Sequence, residues 1–214
     1  MKHDRTRADL IRHLDGLGLD RFRLQLFNGT GSPVIRNLSK AEIIRQTQDL
    51  VRRNNKGTEI TIDAPPDDDH DLMHLSGIGR QAQEAMIENG HDPAVFVQLL
   101  PGVYEAWLRL GRPVSAEVRN LIWEDLAATY LPEQEHHVSL QKLLAGFKNR
   151  AMRSKTRPGF EYVTVLSAPG KAAPEGESLI REAEEWLAAQ AKPQDRSWSS
   201  QADDFDAIED KGPW

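Results

Sequence analysis

The run Arg21-Phe22-Arg23-Leu24-Gln25-Leu26-Phe27 alternates polar and apolar residues, so it can bury one face only as a β-strand, in which successive side chains point to opposite sides. The turn residues Asn28-Gly29-Thr30-Gly31-Ser32-Pro33 follow, and Val34 to Leu38 returns as a second strand. The segments on either side have helical period. Leu10, Ile11, Leu14 and Leu17 form one stripe, closed by Gly16 and Gly18. Ser39-Lys40-Ala41-Glu42 is a capping box opening a helix to about Arg53.

The same alternation continues. Thr58 to Ala64 and Leu72 to Leu75 read as strands around an acidic turn, and Ser76-Gly77-Ile78-Gly79 as the start of a helix through Glu88. Ala94 to Leu100 and Val103 to Leu110 form a strand pair around Pro101-Gly102, and Ser115 caps a helix to about Tyr130. A short helix from Ser139 to Ala145, a strand from Phe160 to Leu166 and a helix from Pro174 to Ala191 complete the series. The expected fold class is α+β, a twisted antiparallel sheet covered by helices, over residues 1–191. Residues 192–214 are polar, acidic and without period, and are expected to be a disordered tail.

The chain of 214 residues has no cysteine, which excludes disulfide scaffolds, thiol nucleophiles and cysteine-based zinc sites. No secretory h-region opens it and no apolar run approaches the ~20 residues that span a bilayer, so a soluble, cytoplasmic chain without a membrane partner is expected. The net charge of -6 conceals a strong segregation. Residues 1–56 hold 12 basic and 6 acidic side chains, and residues 142–157 hold 6 basic and none acidic. Two such segments in an acidic chain point to a polyanionic partner.

Five segments, MKHDRT, LGLDRF, NLSKAEI, PGVYEAWLRL and LLAGFKNRAMRSKTRPGF, follow one another in the order found in RepB-type plasmid primases of the archaeo-eukaryotic primase superfamily, which the chain resembles from Met1 to about Ala191. The resemblance implies a catalytic core on a twisted antiparallel sheet and primer synthesis on single-stranded DNA in plasmid replication or mobilisation. It also implies a further helical domain, in place of which residues 192–214 stand. Primer synthesis requires carboxylates that hold divalent metal against a triphosphate. The family's adjacent aspartate pair falls on Ser76-Gly77 and its third acid on His137, so a degenerate metal site is expected and enzymatic activity is left open. Mg²⁺ or Mn²⁺ would be the cofactor of an active enzyme. Substitute acids are Asp63 and Asp71, with Asp67, Asp68, Asp69 and His70 in the same hairpin; Glu133, Glu135, His136 and His137 are a second metal candidate. As ordinary residues of a solvated turn, the same acids need no metal.

Lys148, Asn149, Arg150, Arg153, Lys155 and Arg157 are the expected phosphate-binding residues, with Gly146-Phe147-Lys148-Asn149-Arg150 matching the family's GFxNR phrase. Arg109 and Arg112 would extend that surface, and Tyr104 and Trp107 are candidates for stacking on bases, at least one of them reading as core. In the acidic terminal segment, Phe205, Ile208 and Trp214 resemble the aromatic-ended tips by which single-stranded-DNA-binding proteins recruit a replication partner.

Overall fold

A computed structural model describes residues 2–29, 31–66, 69–131, 142–150 and 162–191. The order is α1 (Lys2–Leu17), β1 (Arg21–Phe27), β2 (Val34–Ser39), α2 (Lys40–Arg45), α3 (Thr47–Asn55), β3 (Glu59–Asp63), β4 (His70–Ile78), α4 (Arg80–Glu88), β5 (Val95–Leu100), β6 (Val103–Val114), α5 (Ala116–Tyr130), β7 (Thr164–Ser167) and α6 (Gly176–Ala191). The strands form two antiparallel sheets, ordered β2-β1-β3 and β4-β6-β5-β7.

The alternation of β1 sends Phe22, Leu24 and Leu26 into a core shared by both sheets, which also takes Leu10, Leu14 and Leu17 of α1, Val95 and Val97 of β5, and Trp107 of β6. A second core lies on the other side of the four-stranded sheet. There α4, α5 and α6 cover Met73, Leu75, Phe96, Ala106 and Leu108. The four-stranded sheet is thus buried on both faces, and only its intervening polar residues are available to build a site between the sheets.

Several elements depart from the sequence-based expectation. The single helix through Arg53 is two helices broken at Gln46, where the Thr47 hydroxyl donates to the Ile44 carbonyl at 2.7 Å. The capping box of Ser39 and Glu42 is present with both reciprocal bonds. Ser76-Gly77-Ile78 does not start a helix but completes β4, with Gly77 at φ 82° in a register shift between Ser76 and Ile78. Strand β6 runs on to Val114, past Gly111 and Pro113.

The expected helix ending at Ala145 is replaced, over residues 142–145, by extended chain. Ile62 N donates to Lys142 O at 2.8 Å and Leu144 N to Ile60 O at 3.0 Å, so this segment adds to the free edge of β3. Two residues on, Gly146 N donates to Val163 O and Val163 N to Phe147 O, both at 2.8 Å. One short segment therefore joins both halves of the molecule, while Leu143, Leu144, Ala145 and Phe147 enter the shared core.

Gly146 makes that passage possible. It sits at φ 91°, and a Cβ there would lie 2.4 Å from the Thr6 carbonyl oxygen of α1. Gly146→Ala is expected to cost about 2–4 kcal/mol, lowering the thermal midpoint by about 5–15 °C in a calorimetric scan. Gly29→Ala, at φ 83° with nothing within 4 Å, carries only the backbone strain and should lose about 1 kcal/mol. Equal losses would contradict a close packing of the seam on α1.

Candidate nucleic-acid interface

Cross-strand pairing sets His74 opposite Trp107 and Ser76 opposite Glu105 on adjacent strands β4 and β6. All four side chains are buried. The rings of His74 and Trp107 lie 4.4 Å apart, and His13 of α1 reaches Trp107 edge-on at 6.1 Å. His74 Nε2 stands 3.6 Å from Glu105 Oε2, and the Ser76 hydroxyl donates to Glu105 Oε1 at 3.4 Å. Although His74 and Glu105 are within ion-pair distance, burial pushes the His74 pKa well down and the Glu105 pKa well up. Burial thus disfavours the charged form on both sides of their contact. The Lys142 charge acts on both in the direction that disfavours imidazolium and favours carboxylate, without overcoming desolvation.

This is the place where the resemblance puts metal-binding aspartates. Among the described residues, the buried polar atoms lacking a hydrogen-bond partner are His13 Nε2, both ring nitrogens of His74, Glu105 Oε2 and Trp107 Nε1. Magnesium favours several ionised oxygen ligands. Among the described residues the patch offers one carboxyl group, Glu105, and no described group of three or more His, Asp or Glu residues is placed to hold a metal ion. These described residues do not supply the several oxygen ligands that magnesium favours.

The substitute acids are committed elsewhere. Asp63 pairs with Lys142 and accepts from Ala64 N at 2.9 Å. Asp71 is buried and holds Arg109 Nε at 2.9 Å. Asp67 and Asp68, and the second candidate set Glu133, Glu135, His136 and His137, lie outside the described residues.

Around Lys142 the surface opens into a cavity of about 420 Å³ lined by Arg23, Asp63, His70, His74, Arg119 and Trp123 among others. Arg23 reaches it from β1, whereas Arg119 and Trp123 reach it from α5. Trp123 Nε1 donates to His74 O at 3.0 Å, which fixes the indole at the cavity wall. Burial and Arg119 together pull the His70 pKa down to about 4, so that imidazole is neutral at pH 7. The cavity charge comes from Arg23, Arg119 and Lys142 against Asp63.

At the far end of the seam the GFxNR segment is anchored to α3. Asn54 accepts from Lys148 N at 2.9 Å, its amide donates to Lys148 O at 3.0 Å, and Arg150 Nε donates to Asn54 O at 2.8 Å. Asn149 is fully buried and donates to Leu99 O at 3.3 Å, so its side chain anchors the segment on β5 rather than facing a phosphate. Lys148 is half-buried beside the Tyr162 ring. Arg153, Lys155, Arg157, Phe205, Ile208 and Trp214 lie outside the described residues.

Two further expectations are corrected. Tyr104 and Trp107 both belong to the core, Tyr104 stacked on Phe96 at 5.2 Å, because β6 is a central strand covered on both faces. Arg109 and Arg112 are held by carboxylates, Arg109 by Asp71 and Arg112 by Glu177 and Glu184 of α6. Sequence reasoning counted Lys142 in the basic segment without placing it at this cavity, and it missed Glu105. The signal for Glu105 was a lone acid inside the apolar run of a central strand.

Two antiparallel sheets joined by an extended seam, with a polar patch on the β4–β6 face between them, form a fold like that of a primase catalytic core. More narrowly, the fold is similar to the RepB-type catalytic core. The catalytic domain of primase RepB', solved in complex with initiator DNA, superposes with a TM-score of 0.78 at 27% identity, over 89% of this chain and 100% of that one. A second RepB' structure gives 0.77 at 26% identity, over 87% and 64% of the two chains. The primase-polymerase domain of cyanophage S-2L shares the fold at 14% identity, with a TM-score of 0.55. Mobilization protein A of Escherichia coli is 28% identical over 200 residues, which are 92% of this chain but only 28% of that protein's length. No protein-family profile matches the sequence. No described helix is long and apolar enough to cross a membrane.

The buried pair gives a pH signature. Because the folded chain holds the Glu105 proton more tightly than the unfolded chain does, stability falls as pH rises above the ordinary carboxylate value of 4.5 towards the folded pKa. His13, pushed down to about 3, and His74 act at the other end, losing stability as pH falls below about 6.5. Glu105→Gln removes the first loss alone. Its thermal midpoint relative to wild type should climb by up to about 3–5 °C per pH unit above pH ~5, until the folded pKa is passed. A difference that does not vary with pH would contradict a neutral Glu105.

Proposed function

We propose that this chain is a primase-like DNA-binding protein of plasmid or mobile-element replication and mobilisation, acting in the cytoplasm. It holds single-stranded DNA through its phosphates and does not perform metal-dependent nucleotidyl transfer. The observation that carries this reading is the composition of the β4–β6 face. Ser76 and Gly77 stand where the resemblance calls for aspartates, and the one carboxyl group across from them, Glu105, is fully buried, which pushes its pKa well up.

The basic equipment is retained. Arg23, Arg119 and Lys142 line the cavity, and Lys148 and Arg150 sit on a segment held to α3 by hydrogen bonds with Asn54. We assign phosphate contact to Lys148, Arg150, Arg153, Lys155 and Arg157, with Asn149 as the residue that positions them. Guanidinium groups on a fixed backbone suit bidentate phosphate contact. The similarity to a catalytic domain solved with initiator DNA, and to a mobilisation protein, supports this reading.

The test combines two readouts on one sample. With a single-stranded template, labelled nucleotides and Mg²⁺ or Mn²⁺, no product that disappears with EDTA is expected. Fluorescence anisotropy with a labelled single-stranded oligonucleotide should show binding that EDTA leaves intact. Lys148→Ala should weaken it by about 3–10-fold at low salt, and log Kd should rise with log salt concentration. EDTA-sensitive primers would overturn the loss of catalysis; absence of DNA binding would overturn the reading as a whole.

A further inference from the structure

The two basic segments of the sequence, separated by some 90 residues, meet in the fold. Arg150 is bonded to the Asn54 carbonyl at the end of α3, and the next residue, Asn55, lines a groove of about 820 Å³ between α1 and α2–α3. Gly146 packs on Thr6, and the residue after Thr6, Arg7, lines the same groove from its other wall. The groove therefore lies beside the turns of α1 and α3 on which the GFxNR segment is anchored.

Its lining has the chemistry of a phosphodiester track. Arg7, Arg45 and Arg52 supply guanidinium groups, Gln48 and Asn55 supply amides, and no acidic side chain lines it. Arg7 and Arg45 are exposed and form no salt bridge among the described residues. Arg52 is paired with Asp49 on its own helix at 3.2 Å, a contact that a phosphate can share. Ile44 and Val51 form the apolar floor, against which sugars or bases can rest. Arginines from two walls, with Asp49 at Arg52 and Glu42 near Arg45 as the neighbouring carboxylates, favour an extended polyanion over a single small anion.

We infer that the α1–α3 groove is a second contact for single-stranded nucleic acid, continuous with the Lys148–Arg150 segment and taking the sugar-phosphate backbone without reading bases. This rests on the DNA-binding function proposed above and states where the strand runs beyond the seam. It makes affinity depend on length: a short oligonucleotide can occupy the segment around Lys148, whereas a longer one also fills the groove.

The experiment measures binding of labelled oligodeoxythymidines of 4 and 16 nucleotides to wild type, Arg7→Ala/Arg45→Ala and Arg7→Lys/Arg45→Lys, at several NaCl concentrations. The double alanine variant should bind the long oligonucleotide about 10-fold or more weakly, with a salt slope shallower by about 1, and should bind the short one as wild type does. The lysine variant should recover most of the salt slope, since it keeps the charges. Both arginines are exposed, and an unchanged thermal midpoint will show that the fold is intact. If the double alanine variant binds the long oligonucleotide normally while Lys148→Ala weakens it, the groove is overturned and the DNA-binding function stands. If wild type binds neither oligonucleotide, the function itself fails and the groove with it.

Discussion

Residues 142–148 hold the molecule together through backbone hydrogen bonds to two partners. The first half of the segment completes the edge of β3 and the second half pairs with Val163 on the approach to β7. Buried backbone groups must find partners, and a segment that satisfies them on both sides fixes the distance between the two sheets. The side chains follow from that geometry. Leu143, Leu144, Ala145 and Phe147 fill the core between the sheets, Lys142 emerges at the cavity and Lys148 at the opposite end. The same hydrogen bonds thus fix both the fold and the placement of its cations.

The polar patch beneath the seam lies on a primase-like frame, with Ser76 and Gly77 on β4 facing Glu105 on β6. A strand face that carries ionised carboxylates around metal must be compensated by that metal. With Ser76 and Gly77 there, the one carboxyl group of the patch, Glu105, is buried, and desolvation disfavours its charged form. His74, Trp107 and His13 share that enclosure, and burial pushes both imidazole pKa values down. Of the cations lining the adjacent cavity, Lys142 is paired with Asp63, and Arg119 lies in the field of Asp63 and Asp69.

Much of the fold was legible wherever one residue period dominated. The alternation of β1, the Ser39–Glu42 capping box and the apolar stripes of α1, α5 and α6 are local signals, and the structure has those elements. What was not legible depended on distant partners. Residues 142–145 read as a short helix because nothing in their own sequence reports the free edge of β3. Tyr104 and Trp107 suggested base stacking because alternation assigns faces without saying that both faces of β6 are covered. Asn149 looked like a phosphate ligand in its motif, whereas its amide serves a β5 carbonyl. The charge segregation was plain in the sequence; the meeting of its two basic segments at α3 was not, since it requires the seam to carry Arg150 to Asn54.

The central claim is that a primase frame persists here without its divalent metal centre. The most direct measurement is a titration of the protein with Mn²⁺, following the free-ion signal by electron paramagnetic resonance, in wild type and Glu105→Gln. The account predicts no saturable site in either protein, only weak binding that is the same for both. One equivalent of Mn²⁺ bound per chain by wild type, and lost in Glu105→Gln, would contradict it.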